Sequence, residues 1–351
     1  MRIGNTNKIL VIFLILAMMT SLLVAGDPAR VGTSSGDQVK VPVGSRNLAM
    51  GGADIATTKN IDAIYWNPAG LGELQSGNIA GLFSSQRLIA DISTNYFAMG
   101  FNVGLGVLGV SLKTFNFGDI DVTTLENMDG TGETFSPTFA TGGVTFARAL
   151  TDRINFGITG KLVYESLPRA NASAFAVDFG IQYKDLLDVS GLCLGLSVRN
   201  VGSDMEYDGS ALLGEAEDVI PSATTRYTDF RNRPAMDSPL PTTMDMGLAY
   251  VLPIGIGNLT LAGNFQHNNL ENDQVMFGGE LEVSKMLFLR GGYVYTMEDA
   301  DYEDLGENVY GLSLGLGFNY SLMGVNTIFG YSYRPVEYFD ANNTFTLGFE
   351  F

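Results

Sequence analysis

One cysteine, one histidine and one tryptophan stand in 351 residues. Cys193 has no partner, which excludes a disulfide-held scaffold. A single histidine excludes the mixed His and Cys ligand sets of zinc sites. It also leaves a serine nucleophile only one imidazole to use as base. That residue, His267, lies beside Asn268 and Asn269 at the end of an alternating segment, with no serine or cysteine arrangement near it. It reads as a surface histidine at a strand–loop boundary. Charge is scarce as well, at 17% of residues against about 25% in an average soluble domain. What charge there is gives a net −18, so no basic surface is present to neutralise phosphates and nucleic acid is not a partner. The stretch "GVLGVSLKTFNFGD" spaces its glycines as a strand does and is no phosphate-binding loop. No cofactor or metal is expected, and the chain reads as non-enzymatic.

Long apolar runs are missing too, after the first one. Arg2 and Lys8 precede "ILVIFLILAMMTSLLV" and then "VAG": a positive segment, an apolar one and small residues for cleavage, the order of an export signal. The apolar run of about 16 residues falls short of the roughly 20 that span a bilayer as a helix. Residues 1–26 are therefore expected to be a signal peptide. No later run is long enough for a transmembrane helix.

What the chain has in plenty is glycine, 43 residues, with 22 Phe and 15 Tyr, arranged with a period of two. In "YGLSLGLGFNY", Tyr310, Leu312, Leu314, Leu316, Phe318 and Tyr320 share one face, and Gly311, Ser313, Gly315, Gly317 and Asn319 the other. "FAVDFGIQY" (175–183), "INFGITGKLVYE" (154–165), "LCLGLSV" (192–198) and "MDMGLAY" (244–250) repeat the pattern, with Cys193 on the small-residue face. A soluble β-sandwich also alternates, but its outer face carries dense charge and its strands average about 5 or 6 residues. Here the face opposite the apolar one is glycine and isolated polar groups, over segments of about 10 residues. That is the pattern of a strand with lipid on one side and a lumen on the other. Fourteen such segments lie between residues 78 and 351, an even number as bacterial barrels require. The connections after even strands are short, and most of those after odd strands are longer and polar, among them 118–135, 167–171, 202–241, 298–309 and 335–342. The expected fold is all-β: a transmembrane antiparallel β-barrel in the outer membrane of a Gram-negative (diderm) bacterium. The acidic stretches within 202–241 and 298–307 then lie on the outer side. They read as solvated loops, since neither has the ligand spacing of a calcium loop.

Ahead of the strands stands "SRNLAMGGADIATTKNIDAIYWNPAGL", Ser45 to Leu71. A barrel of about fourteen strands is wider than its own side chains can fill, and a compact segment of small residues would stopper it. Gly51 and Gly52 let the chain pass close to the wall. Asn67-Pro68 favours a turn, with Pro68 opening a helical turn; Ala69 and Gly70 complete it. Trp66 would pack one face and use its indole N–H. Residues 27–77 are thus expected to form a lumenal hatch and 78–351 the barrel.

The "AMGGA" and "WNPAG" elements of this segment resemble the N-terminal signature of the PorV/PorQ family, related to the FadL-like outer-membrane proteins. Both groups carry an Asn-Pro-Ala turn in an N-terminal hatch ahead of a fourteen-strand barrel. The resemblance covers about 40 residues and implies two functions. PorV-like proteins are accessory barrels of type IX secretion that escort secreted proteins, for which loop 202–241 would be the binding face. FadL-like proteins are passive channels for small hydrophobic compounds held in the lumen. The first is the leading expectation and the second the alternative. In either case outer-membrane lipid surrounds the wall.

Overall fold

A computed structural model describes residues 30–75, 78–219, 226–297, 309–322 and 324–351. The expected signal peptide and the acidic stretch 298–307 lie outside them. Fourteen strands follow in chain order: β1 (Ile79–Arg87), β2 (Ser93–Asn102), β3 (Val107–Asn116), β4 (Thr138–Ala149), β5 (Ile154–Leu167), β6 (Ala170–Tyr183), β7 (Leu192–Gly202), β8 (Thr243–Ile254), β9 (Gly257–Asn268), β10 (Gln274–Val283), β11 (Leu287–Thr296), β12 (Leu312–Leu322), β13 (Val325–Val336) and β14 (Phe339–Glu350). Each pairs antiparallel with its chain neighbours, and β1 pairs with β14, from Ala80 opposite Glu350 to Arg87 opposite Asn343. Closure leaves no strand edge, which a bilayer requires because lipid offers backbone N–H and C=O groups no partner.

The alternation sorts as the sequence predicts. On β12, Leu312, Leu314, Leu316, Phe318 and Tyr320 are exposed on the outer wall while Ser313 is fully buried. On β6, Phe175, Phe179 and Ile181 face out, while Ala176, Asp178 and Gln182 are buried toward the bore. A closed barrel wearing such an apolar belt is an outer-membrane barrel of a Gram-negative bacterium.

Three expectations need correction. The connection at 167–171 is not a loop: β5 runs to Leu167 and β6 resumes at Ala170, leaving a two-residue turn in which Arg169 has φ 67°. Likewise 335–342 is mostly strand, with a register shift between Arg334 and Val336 that absorbs Pro335, which has no N–H for the ladder. Polar residues mark where lipid ends, and the ladder continues beyond that level into water. Tyr310 is not on the lipid face. β12 begins two residues after it, and its ring lies inside against Arg334.

The short connections at 150–153, 255–256 and 284–286 gather at the periplasmic end, and the long ones at 117–137 and 203–242 at the outer end. The bore is filled by residues 30–75. Their regular pieces are α1 (Ser45–Ala49), α2 (Ala63–Trp66) and helical turns at Asp37–Val39, Asn60–Asp62 and Pro68–Glu73.

Candidate functional site: the hatch and the cavity above it

The hatch begins near the outer mouth, where the Ser35 N–H donates to the Pro239 carbonyl at 3.2 Å. Val39 is buried there with Val163, Ala174, Met205 and Leu240. It ends at the periplasmic side, where Leu71 and Leu74 pack with Ile61, Ile64, Leu82 and Val107. Between these ends the segment lies against the wall at close range, and at many of the closest points the wall residue is glycine. A methyl on Gly157 would lie 2.3 Å from the Pro68 carbonyl carbon, one on Gly180 2.1 Å from Asn67 Oδ1, and one on Gly292 2.2 Å from the Met50 carbonyl carbon. Gly195, Gly278 and Gly315 meet Ala56, Met50 and Ala49 in the same way. At these inward-facing positions there is no room for a side chain on the strand, which is why they are glycine.

Each residue singled out in the sequence has a place in that contact. Gly51 (φ 66°) and Gly52 (φ 78°) turn the chain after α1, beside the Tyr293 backbone and the Trp66 ring respectively. Trp66 is buried, donates its indole N–H to the Val43 carbonyl at 2.9 Å, and meets the Tyr65 ring edge-on with centroids 5.3 Å apart. Asn67 is 0% exposed. Its Nδ2 donates to the carbonyls of Ile55 in the hatch (3.0 Å) and Ile181 in the wall (3.2 Å), and its Oδ1 accepts from the Ala69 N–H at 3.2 Å. Pro68, Ala69 and Gly70 form the buried helical turn that follows. Gln182 of β6 also reaches in, donating to the Ile55 and Thr58 carbonyls.

The sequence shows Lys161, Asp178, Arg199 and Arg290 scattered over inward positions. The fold pairs them. Lys161 meets Asp178 at 2.8 Å and Arg199 meets Asp245 at 2.8 Å. Arg290 meets Glu280 at 2.6 Å, and Arg46 of the hatch joins the same carboxylate at 3.1 Å. The Arg46–Glu280 contact ties α1 to β10 with a charge-assisted bond on each side of one carboxylate. Asp54 lies in the field of Arg46, and Asp62 in that of Arg46 and Arg290. Burial pushes the Asp62 carboxyl up to about 6, opposed by the pull of Arg46 and Arg290. Sequence reasoning missed Arg46, Lys113, Glu280 and Arg334, and it placed Asp245 on the small-residue face without a partner. The signal that finds the three missed on strands is parity: each falls on the glycine-bearing face of its strand.

Asp178 also accepts from the Asn200 N–H at 2.7 Å, where the β6–β7 ladder shifts register and Asn200 takes φ 61°. The bulge turns both Arg199 and Asn200 inward. His267 is at the outer end of β9, its Nδ1 2.9 Å from Asp273 Oδ1.

Above the hatch, on the outer side, is a cavity of about 430 Å³. Leu48, Trp66, Tyr65 and Met276 form its floor and sides, and Arg199, Gln266, Tyr310 and Arg334 supply polar groups. Arg199 lies 5.6 Å and 5.7 Å from the Tyr65 and Trp66 ring centroids. A concave, largely apolar chamber with a few fixed polar groups is the usual form of a small-molecule site.

Solved structures share this plan of barrel and size. The Pseudomonas putida toluene transporter TodX superposes with a TM-score of 0.56 at 12% identity, over 88% of this chain and 97% of that one. The Ralstonia pickettii toluene transporter TbuX gives 0.53 at 12% identity over 88% and 97%. A monoaromatic hydrocarbon channel, CymD, gives 0.51 at 12% over 88% and 97%. At this identity the likeness is one of fold. No protein-family model and no curated protein matches the sequence.

Proposed function

We propose that the protein is a passive conduit that admits small hydrophobic molecules through the outer membrane, with residues 30–75 as the hatch that must shift to let them pass. One observation carries this: the bore is stoppered from the periplasmic side by a separable segment, and an apolar chamber stands directly above it on the outer side. A passive path needs no cofactor and no catalytic group. The proteins of the same fold named above are a toluene transporter from each of two bacteria and a hydrocarbon channel, which favours an apolar solute over a polar one.

The escort reading and the PorV/PorQ kinship stand second. Their physical support is the outer loop 202–241. Its base, Met205 and Leu240, is buried against Val39 and the inner wall of β5 and β6, so that part serves as a cover for the bore.

The test uses a lock. An added Cβ at Gly330 would lie 3.3 Å from Ser45 Cβ, close to disulfide spacing. Ser45→Cys with Gly330→Cys, oxidised, fixes α1 to β13. Proteoliposomes of the oxidised pair should take up toluene at the protein-free rate, and dithiothreitol should restore wild-type uptake. Equal uptake by the oxidised and reduced forms would remove the gating hatch. Recovery of exported proteins with a shared C-terminal sorting domain, and no uptake in any form, would favour the escort.

A further inference from the structure

Almost every cation facing the bore is answered. Arg46 and Arg290 share Glu280, Lys161 has Asp178, Arg199 has Asp245, and Lys40 sits between Asp37 and Glu271. Lys113 donates to the Val41 carbonyl at 2.9 Å and lies over the Tyr65 ring. Arg334 on β13 is different. It is 8% exposed and lines the chamber. Its Nε has no hydrogen-bond partner, and no carboxylate lies within 4.0 Å of it among the described residues. Among the described residues its guanidinium stacks on the Tyr310 ring, with Cζ 3.8 Å from the centroid. A ring face returns less to a desolvated guanidinium than burying the ion costs.

The strand register extends the patch. Asn342 on β14 lies directly opposite Arg334, is 1% exposed, and has neither Nδ2 nor Oδ1 partnered. On β1, Gln86 pairs with Thr344 of the same inward face, and both of its amide atoms are unpartnered too. Buried polar groups are nearly always hydrogen-bonded. Here donors on three adjacent strands stand unanswered at the outer end of the bore.

We propose that this patch holds the carboxylate of a small aromatic acid whose ring lies in the chamber. Tyr310 covers the flat face of the guanidinium and leaves its N–H edge for the carboxylate, the planar match that arginine makes best. Tyr65, Trp66, Met276 and Val294 offer the apolar body its surface. Arg199 does not compete, because Asp245 already neutralises it. This assignment rests on the conduit reading for its physiological meaning, though not for its chemistry.

Titration calorimetry on the full chain in detergent tests it, with benzoate against benzamide, a neutral molecule of the same shape. Wild type should bind benzoate at least tenfold more tightly. Arg334→Met, close in size and free of the buried charge, should lose at least tenfold for benzoate and stay within twofold for benzamide; Arg334→Lys should keep part of the preference. Equal wild-type affinities overturn the proposal whatever the variants do, and so does an Arg334→Met protein that binds benzoate as wild type does. Proteoliposome uptake separates the two readings. Benzoate bound with no solute carried removes the conduit and keeps the site. Toluene carried with no preference for benzoate in binding keeps the conduit and removes the site.

Discussion

Asn67 shows how one side chain can hold a whole segment in place. Its three hydrogen bonds join two parts of the hatch to β6, and Asn67→Ala leaves buried carbonyls unpaired at about 1–3 kcal/mol each. The hatch should open more readily by about 3 kcal/mol while the barrel stays folded. Hydrogen exchange should quicken over residues 45–73 and stay unchanged in the strands. Gly180→Ala should mimic it from the wall side, since its methyl would take the place of the Asn67 amide oxygen. Asp62 gives a pH-dependent counterpart. An acid whose carboxyl is pushed up to about 6 in the folded state, from an ordinary 3.8, binds its proton more tightly folded than unfolded. Its contribution is therefore most favourable below about pH 4 and is lost as pH rises to about 6. Arg46, Arg290, Asp54 and Glu280 face it. Asp62→Asn should flatten the pH dependence of hatch opening between 4 and 6 and strengthen the hatch at pH 7.5, read by the same exchange experiment. The role of Asn67 was partly legible, since Asn-Pro announces a turn. Its bond to Ile181, 114 residues away, was not, because nothing in a one-dimensional pattern says which strand a turn will meet.

At the scale of elements, period-two alternation marked the strands, because a strand between lipid and lumen has no third environment to blur the pattern, and did so most weakly at β1 and β2, where "NIAGLFSSQRL" and "ISTNYFAMGFN" alternate poorly. It failed where that contrast ends. Above the lipid both faces are wet, so 335–342 looked like loop although the ladder continues through it, and Tyr310, which shares the parity of the lipid face, lies beyond the strand with its ring inside. The bulge at Asn200 was equally hidden. A single extra residue shows only as Arg199 and Asn200 both turning inward, which sequence reads as noise. The charge pairs have the same cause: parity puts a residue in the bore, and only the closed register chooses its partner. Deleting residues 41–71 should raise the single-channel conductance of the protein in planar bilayers from near zero to that of an open pore, with the strands still forming. An unchanged trace would mean that the wall residues alone close the bore.

For the molecule as a whole, the surface that matters is the lipid-facing belt. Leu316, 53% exposed on β12, lies midway along its strand, and Leu316→Arg should cost about 2–4 kcal/mol in folding into bilayers. The same change at Phe339, at the outer start of β14, should cost under about 1 kcal/mol. Unfolding titrations in urea with lipid present would measure both. The path of residues 30–75 has a further consequence for how the protein is made. From Ser35, bonded to Pro239 at the outer mouth, this segment descends the bore to Leu74 at the periplasmic end, just ahead of β1. The seam that completes the cylinder, β1 with β14, joins the first strand to the last. The leader must therefore already be threaded when the two ends meet, for once they zip together a bulky head cannot be drawn through. A folded protein fused ahead of Arg30 should leave the cylinder unsealed, and a short extended tag should not.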